Sequence, residues 1–315
     1  MSAAAVDVSA TSGRKSVLAA VLMLISLPVV VALMGAVSFH YRGRSNGSFV
    51  SSGVEREYVL YVPRSYDRTK KTPLVISLHG AGLWGALQRE ISQWDRVADR
   101  EGFIVVYPSA AGPGLKVWHV GTGPRLASDV RFIAELIDTL SARYNIDSTR
   151  IYANGLSNGG GMSFVLSCTM SDRIAAVGLV GAAQTLPWNW CTDKRPVPEI
   201  AFHGTDDPEV SYKGGPSWIS ARAFPGVVTW TSNWARRNGC AASPVDSAVA
   251  TDVTRREHTH CANDASVVLY TIHGGGHTWP GGGPLPEWFV GPTSRSIDAS
   301  SVMWAFFREH PLSRK

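Results

Sequence analysis

The stretch RIYANGLSNGG, residues 150–160, passes from a short apolar run into a Gly-x-Ser-x-Gly turn centred on Ser157. A helix is predicted to follow from about Gly161 to Thr169. With 31 glycines in the chain, the motif alone would be weak. Its position between a strand and a helix is what a nucleophile elbow requires, because flanking glycines let strand and helix approach closely. We therefore predict that Ser157 is a nucleophile at a helix N-terminus.

A serine hydroxyl needs a base to take its proton, and the base needs an acid to orient it. On a strand–elbow–helix fold these partners follow the serine in the order acid, then histidine. Asp206 and Asp207 follow the predicted strand Glu199 to Phe202. His277 follows the last predicted strand on a glycine-rich loop. This order predicts a Ser-His-Asp triad.

Two backbone N–H groups should stabilise an oxyanion at this site. One is expected at the residue after the nucleophile, Asn158, and the other in the loop after an early strand. The Gly-rich turn His79-Gly80-Ala81-Gly82 occupies that loop. We predict Ala81 as the second donor.

Short apolar segments alternate with amphipathic ones along the chain, which predicts a mostly parallel central sheet with helices on both faces. Strands are predicted at Glu57 to Val62, Leu74 to Leu78, Phe103 to Tyr107, Arg150 to Ala153, Ala175 to Val180, Glu199 to Phe202 and Val267 to Ile272. Further helices are predicted at Ile91 to Arg100, from Ser128 and Asp129 onward, and at Ser294 to Phe307.

The first 38 residues have the character of an export signal. Arg14 and Lys15 precede an uncharged run from Val17 to Val37, which suits either a cleaved signal peptide or a single membrane anchor. Residues 39–53 are assigned to a polar linker and residues 54–315 to one catalytic domain. An extracytoplasmic location is expected, with possible attachment to a membrane through residues 17–37.

The four cysteines fit an oxidising compartment. They allow three pairings, and the sequence alone does not choose among them; they are Cys168, Cys191, Cys240 and Cys261. Pairing of nearest neighbours would close two loops, each stabilising by roughly 3 kcal/mol. A zinc site at Cys240, His258, His260 and Cys261 is a rival, which the adjacency of His260 and Cys261 disfavours.

Composition excludes other classes of function. The net charge is +5 and the basic residues are scattered, without the basic face or motif of a nucleic-acid-binding protein. No cofactor and no metal are expected.

Several motifs resemble those of extracellular polyhydroxybutyrate-depolymerase-like and feruloyl-esterase-like α/β-hydrolases. They span about Arg56 to Phe307 and include Leu78-His79-Gly80, Val105-Val106-Tyr107-Pro108, Asn158-Gly159-Gly160, His203-Gly204-Thr205-x-Asp207, Asn238-Gly239-Cys240 and Gly276-His277-x-Trp279-Pro280-Gly281-Gly282. The resemblance implies the α/β-hydrolase fold, Asp207 rather than Asp206 as the acid, and Trp279 as a wall of the substrate pocket. For Trp279 the alternative is packing under the glycine loop.

The expected activity is hydrolysis of carboxylic esters, either polyhydroxybutyrate-type oligoesters or feruloyl and acetyl esters. Trp118 is a further candidate for contact with the ester substrate. Two alternatives stay open at the level of sequence: a catalytically silent binding protein on a hydrolase scaffold, and a peptidase or thioesterase with the same triad.

Overall fold

Ten strands form one sheet whose six central members are parallel. In the computed structural model, residues 45–313 are described, apart from 113, 193, 194, 218 and 219. The strands are β1 (Gly47–Ser51), β2 (Val54–Tyr61), β3 (Thr72–Leu78), β4 (Ile104–Pro108), β5 (Ile146–Leu156), β6 (Val177–Val180), β7 (Glu199–Gly204), β10 (Val245–Ala250), β11 (Val253–His258) and β12 (Val267–Ile272). Their order across the sheet is β1-β2-β4-β3-β5-β6-β7-β12-β11-β10, with antiparallel pairs only toward the two edges.

The described residues also form α-helices and a small hairpin. The hairpin pairs β8 (Gly215–Ser217) with β9 (Ser220–Phe224). The helices are α1 (Gly85–Ser92), α2 (Trp94–Glu101), α3 (Pro124–Arg143), α4 (Asn158–Thr169), α5 (Val227–Arg237), α6 (Glu287–Val290) and α7 (Ala299–Glu309).

Both faces of the parallel strands are covered, as alternate residues of β5 show. Ile151 and Ala153 belong to the main core, with Phe132 of α3 and Trp230 of α5. Because successive strand residues point to opposite faces, Tyr152 faces the other way, where its ring stacks 4.8 Å from that of Phe307 in α7. The predicted α/β-hydrolase architecture is thus confirmed.

Several predicted helices differ from the observed ones. The closing helix α7 begins at Ala299 rather than at Ser294. The segment Ile91 to Arg100 falls in two helices, because Gln93 adopts a left-handed conformation with φ of 52° that ends α1. Helix α3 begins at Pro124 rather than at Ser128. Asp129 lies inside that helix, where its buried carboxylate accepts a hydrogen bond from Arg56 at 2.9 Å.

The linker assigned to residues 39–53 ends earlier than expected. Gly47–Ser51 forms the edge strand β1, paired antiparallel with β2, and the Phe49 ring lies 5.5 Å from that of Phe132. Alternate residues of β1 are covered, but because glycine and serine are not apolar, the sequence of β1 does not show the alternation of a strand. The β10–β11 hairpin is likewise not predicted, because β10 is almost entirely exposed and carries no apolar periodicity.

The predicted signal peptide or anchor, with its apolar run 17–37, lies outside the described residues, which begin at residue 45. Within the part of the chain that the structure describes, no helix has the length and apolar character needed to cross a bilayer.

The four cysteines form two disulfides between nearest neighbours, Cys168–Cys191 and Cys240–Cys261. The first ties the end of α4 to a one-turn 3-10 helix, Trp188–Trp190. The second ties the segment after α5 to the segment after β11. Because Cys240 and Cys261 are joined to each other, they do not supply thiolates for the rival zinc site.

Candidate active site

The turn at Ser157 joins β5 to α4 in a conformation that few residues adopt. Ser157 has φ of 54° and ψ of −118°, a sparsely populated region that is strained for a residue with a side chain. A Cβ atom at Gly159 would overlap the carbonyl oxygens of Leu78 and His79. The glycine therefore lets α4 start directly against β3, with Ser157 half-buried at its N-terminus.

Asp207 and His277 meet at the same end of the sheet. Asp207 follows β7 and His277 follows β12, and these two strands are parallel neighbours. Nδ1 of His277 lies 2.8 Å from Oδ2 of Asp207. Since a carboxylate only accepts, Nδ1 carries the proton and Nε2 is left as the acceptor.

The two predicted partners lie beside the elbow. The N–H of Ser157 donates to the carbonyl of Val180 at 2.8 Å. The next residue, Gly181, lies under the histidine: a Cβ atom there would come within 3.0 Å of Nδ1 of His277 and 3.5 Å of Oδ2 of Asp207. The structure therefore brings Ser157, His277 and Asp207 to one place.

The Asp207 carboxylate is buried and ionised. Burial by itself would raise its pKa, but hydrogen bonds from His203 and His277 outweigh burial, and the net pKa lies well below the usual value for aspartate. Its other oxygen, Oδ1, accepts the backbone N–H groups of Glu209 and Val210, each at 2.8 Å. The negative charge is thus held beside His277 at neutral pH.

The loop that carries His277 is fixed by its backbone. The N–H of His277 donates to the carbonyl of Val290, at the end of α6, at 2.6 Å. A Cβ atom at Gly276 would collide with that same carbonyl and with Gly291. Close packing therefore requires a glycine at position 276.

The turn after β3 presents Ala81 near the serine. Gly80 lies against the elbow, because a Cβ atom there would be 3.6 Å from Cβ of Ser157. Its carbonyl accepts from Nδ1 of His79 at 2.7 Å and from the N–H of Leu83 at 3.1 Å. In a planar trans peptide, the N–H of Ala81 points away from that carbonyl.

His79 is itself held in one tautomer. Its Nε2 accepts the N–H of Ala110 at 3.0 Å, so its Nδ1 carries the proton that reaches Gly80. The ring is fully buried, and burial together with nearby Lys116 and Arg56 lowers its pKa to about 3. A neutral histidine is therefore built into the turn.

Asn158 holds a second segment at the site. Its Oδ1 accepts the N–H of Trp118 at 2.7 Å, and its Nδ2 donates to the carbonyl of Trp118 at 3.0 Å. We call residues 115–120 the strap. The strap also accepts a hydrogen bond from Gly82 at the carbonyl of Lys116, at 2.8 Å. It therefore spans from the turn at Ala81 to the elbow.

Trp118 and Trp279, the two candidates for contact with the substrate, are buried. Both side chains are about 1% exposed. The indole N–H of Trp279 donates to Oγ of Ser300 at 3.0 Å, and the Trp118 ring stacks 6.4 Å from Phe132 in the core. Both side chains therefore pack largely in the interior, and their contact with a substrate stays a prediction.

The sequence alone predicts no role for the side chains of His79, His203 and Asn158. All three belong to the motifs named above, so their residue types are visible in the sequence. Their partners are backbone atoms from other segments, which a sequence does not display.

A second concave region lies away from the candidate active site. A groove lined by Thr149, Ala175 and Pro198, among others, lies near the amino ends of parallel strands and so opposite the elbow. Among the described residues, no group of three or more His, Cys, Asp or Glu side chains could hold a metal ion.

Known proteins resemble this chain over most of the described region. A family model described as "Esterase PHB depolymerase" matches residues 56–184. Feruloyl esterase B of Piromyces equi is 32% identical over 235 residues, covering 70% of this chain and 42% of that protein. A bifunctional acetylxylan esterase/xylanase of Neocallimastix patriciarum is also 32% identical, covering 51% of this chain and 23% of its own length. The chain thus spans less than half of each of these two relatives.

Other relatives are matched over most of their length. Feruloyl esterase C of Emericella nidulans is 27% identical, with 80% of this chain and 83% of that protein covered. Among solved structures, an acetyl xylan esterase from Aspergillus awamori superposes with a TM-score of 0.57 at 17% identity, covering 74% of this chain and 93% of that one; this likeness is one of fold. Together these matches support a likeness of this chain to polyhydroxybutyrate-depolymerase-like and feruloyl-esterase-like α/β-hydrolases.

Proposed function

We propose that this protein hydrolyses carboxylic esters, with Ser157 as nucleophile, His277 as general base and Asp207 as the acid that orients it. The observation that carries the proposal is the 2.8 Å contact between Asp207 and His277 beside a serine with φ of 54°. A buried carboxylate that fixes the tautomer of a histidine next to a strained serine is the arrangement of a serine hydrolase.

The reaction runs in two acyl transfers. Oγ of Ser157 attacks the ester carbonyl while Nε2 of His277 takes its proton and then delivers it to the leaving alcohol. The N–H groups of Ala81 and Asn158 stabilise the oxyanion, and each such donor is worth about 2.7–4 kcal/mol of transition-state stabilisation. Water, deprotonated by His277, then attacks the acyl-enzyme and releases the acid and free serine.

The proposed substrates are feruloyl or acetyl esters and polyhydroxybutyrate-type oligoesters. Exposed apolar side chains on two segments beside the site support an apolar or aryl group in the substrate. Leu115 and Val117 lie on the strap, while Trp288 and Phe289 lie on α6, which accepts the backbone N–H of His277. Methyl ferulate, nitrophenyl acyl esters and hydroxybutyrate oligomers, assayed side by side, would rank these classes.

An exported location is part of the proposal. Two disulfides are typical of proteins that fold in an oxidising compartment, and the apolar run 17–37 would direct the chain there. Cleavage after the run would release the protein, and retention would anchor it. The N-terminal residue of the mature protein, read by sequencing, distinguishes the two.

The decisive experiment replaces the nucleophile. Ser157→Ala should abolish hydrolysis of nitrophenyl acetate and labelling by a fluorophosphonate, with thermal unfolding close to that of the wild type. Ser141→Ala, the same change at an exposed position, should leave both unchanged.

Three outcomes would contradict the proposal. Retained esterase activity in Ser157→Ala would exclude this serine as the nucleophile. A wild-type protein that neither labels nor hydrolyses any ester would instead be a silent binding protein. Faster turnover of peptides or thioesters than of oxygen esters would change the substrate class.

A further inference from the structure

A second histidine lies at the carboxylate of Asp207. His203 is on β7, opposite Thr271 of β12 in the parallel register, and its side chain is 1% exposed. Because it is buried, it has no access to solvent or substrate. The reaction proposed above assigns no task to it.

The contacts of His203 define its protonation. Its Nε2 lies 2.8 Å from the carbonyl oxygen of Val210 and 3.3 Å from Oδ2 of Asp207. A carbonyl and a carboxylate only accept hydrogen bonds. Nε2 of His203 therefore carries a proton, which it shares between the two oxygens.

These contacts stabilise the loop 207–210, which carries Asp207. The N–H of Val210 donates to Oδ1 of Asp207 while the carbonyl of Val210 accepts from His203, so both ends of the loop 207–210 are tied. The His203 ring is set by the ring of Tyr212, 6.0 Å away and perpendicular. The hydroxyl of Tyr212 lies 2.7 Å from that of Thr271.

We propose that His203 is a positioning residue for catalysis: it holds the loop 207–210 and shares Oδ2 of Asp207 with His277. The inference rests on the proposed triad. His277 is the member that acts on the serine, because it lies beside Gly181 and the elbow. His203 acts through Asp207 alone.

Sharing Oδ2 between two donors has a consequence for the pH dependence of the reaction. When His203 withdraws part of the negative charge, Asp207 stabilises the protonated form of His277 less. Loss of this donor should favour protonated His277 and move the acidic limb of the kcat/KM profile to higher pH. Among the described residues, the titratable groups acting on Asp207 are His203 from β7 and His277 from the loop after β12; neighbouring Asp206 is exposed.

Three substitutions test the role of His203. His203→Gln places an amide N–H near the position of Nε2 and should stay within about threefold of wild-type kcat. His203→Asn is polar but too short to reach Val210, and His203→Phe fills the space without a donor. Each of these two should lower kcat by about tenfold, the loss expected for one hydrogen bond to a charged group, and move the acidic limb upward. If His203→Phe does not fold, His203→Asn carries the test.

The measurements are kcat/KM for nitrophenyl acetate between pH 5 and pH 9, and thermal unfolding of each variant. A purely structural role would lower stability and leave the acidic limb in place. The proposal is overturned if the acidic limb of the kcat/KM profile stays in place or moves to lower pH in His203→Asn and His203→Phe. It is also overturned if His203→Gln loses as much kcat as His203→Phe. Failure of the triad itself is separate, since it shows as activity retained in Ser157→Ala.

Discussion

At the scale of single residues, the site uses three histidines whose tasks depend on the atoms that face them. His277 keeps Nε2 as an acceptor because its Nδ1 donates to Asp207. His203 donates through Nε2 to Val210. His79 does both, accepting from Ala110 and donating to Gly80. The sequence displays three equivalent imidazoles, and the hydrogen-bond partners make them different.

The buried neutral His79 should make stability depend on pH. In the folded protein its pKa is about 3, against 6.5 for an unperturbed histidine. Below pH 6.5 the unfolded chain binds a proton that the folded protein does not, so stability is complete above that pH and declines as the pH falls toward 3. The slope is about 1.4 kcal/mol per pH unit.

His79→Asn removes this titration and keeps a donor near Gly80. Between pH 7.5 and pH 5, the free energy of unfolding should fall by about 2 kcal/mol more in the wild type than in the variant, measured by urea denaturation. Asp207 does not confound this window, since its lowered pKa costs stability only below about pH 4. The exposed His273→Asn is the control, and an equal pH dependence in wild type and His79→Asn would refute the assignment.

At the scale of elements, the β5–elbow–α4 unit depends on backbone contact with β3. The start of α4 touches the carbonyls of Leu78 and His79 at Gly159, and the side chain of Asn158 holds the strap. One short segment therefore joins the nucleophile, the oxyanion turn and the strap. A shift of α4 would move all three.

Gly159→Ala tests this contact. The added methyl would overlap two backbone carbonyls, which cannot move without separating α4 from β3, so we expect a loss of about 1–3 kcal/mol or more of stability and at least a tenfold loss of esterase activity. Thermal unfolding and kcat/KM measure the two effects. Gly121→Ala, where the methyl would enter open space, should change neither. If Gly159→Ala had wild-type stability and activity, then the elbow would tolerate a larger distance between α4 and β3.

At the scale of the whole molecule, contacts between separate segments tie helices and loops to one another and to the sheet. On one side, buried Arg56 of β2 pairs with Asp129 of α3 and lies 3.9 Å above the Phe132 ring. On the other, the disulfides close loops with sequence separations of 23 and 21 residues. Cys168 ends the helix that Ser157 begins, so one of these loops lies behind the nucleophile.

Removal of each disulfide should lower stability by about 3 kcal/mol in the chain-entropy model. The paired variants Cys168→Ser/Cys191→Ser and Cys240→Ser/Cys261→Ser are to be compared by urea denaturation at pH 7.5. Both should stay active at low temperature, because neither disulfide contacts Ser157, Asp207 or His277. If both pairs unfold at the wild-type midpoint, the bridges do not contribute to stability.

Much of this fold could be predicted from local sequence. The parallel strands are continuous apolar runs because both faces are buried, and the order Ser157, Asp207, His277 follows from strands whose carboxyl ends meet at one edge. Elements with weak apolar periodicity were not predicted. The edge strand Gly47–Ser51 and the β10–β11 hairpin are polar or exposed, so their sequences do not alternate between apolar and polar residues.

The residue types and the chain order of the proposed triad can be predicted from the sequence, since these depend on local strand–turn–helix chemistry. Which atoms meet depends on the folded chain: Trp118 and Trp279 are buried, the cysteines pair with their neighbours, and Asp207 faces two histidines. Each of these depends on contacts between segments far apart in the chain. Such contacts are set by packing of the whole sheet, and no local pattern encodes them.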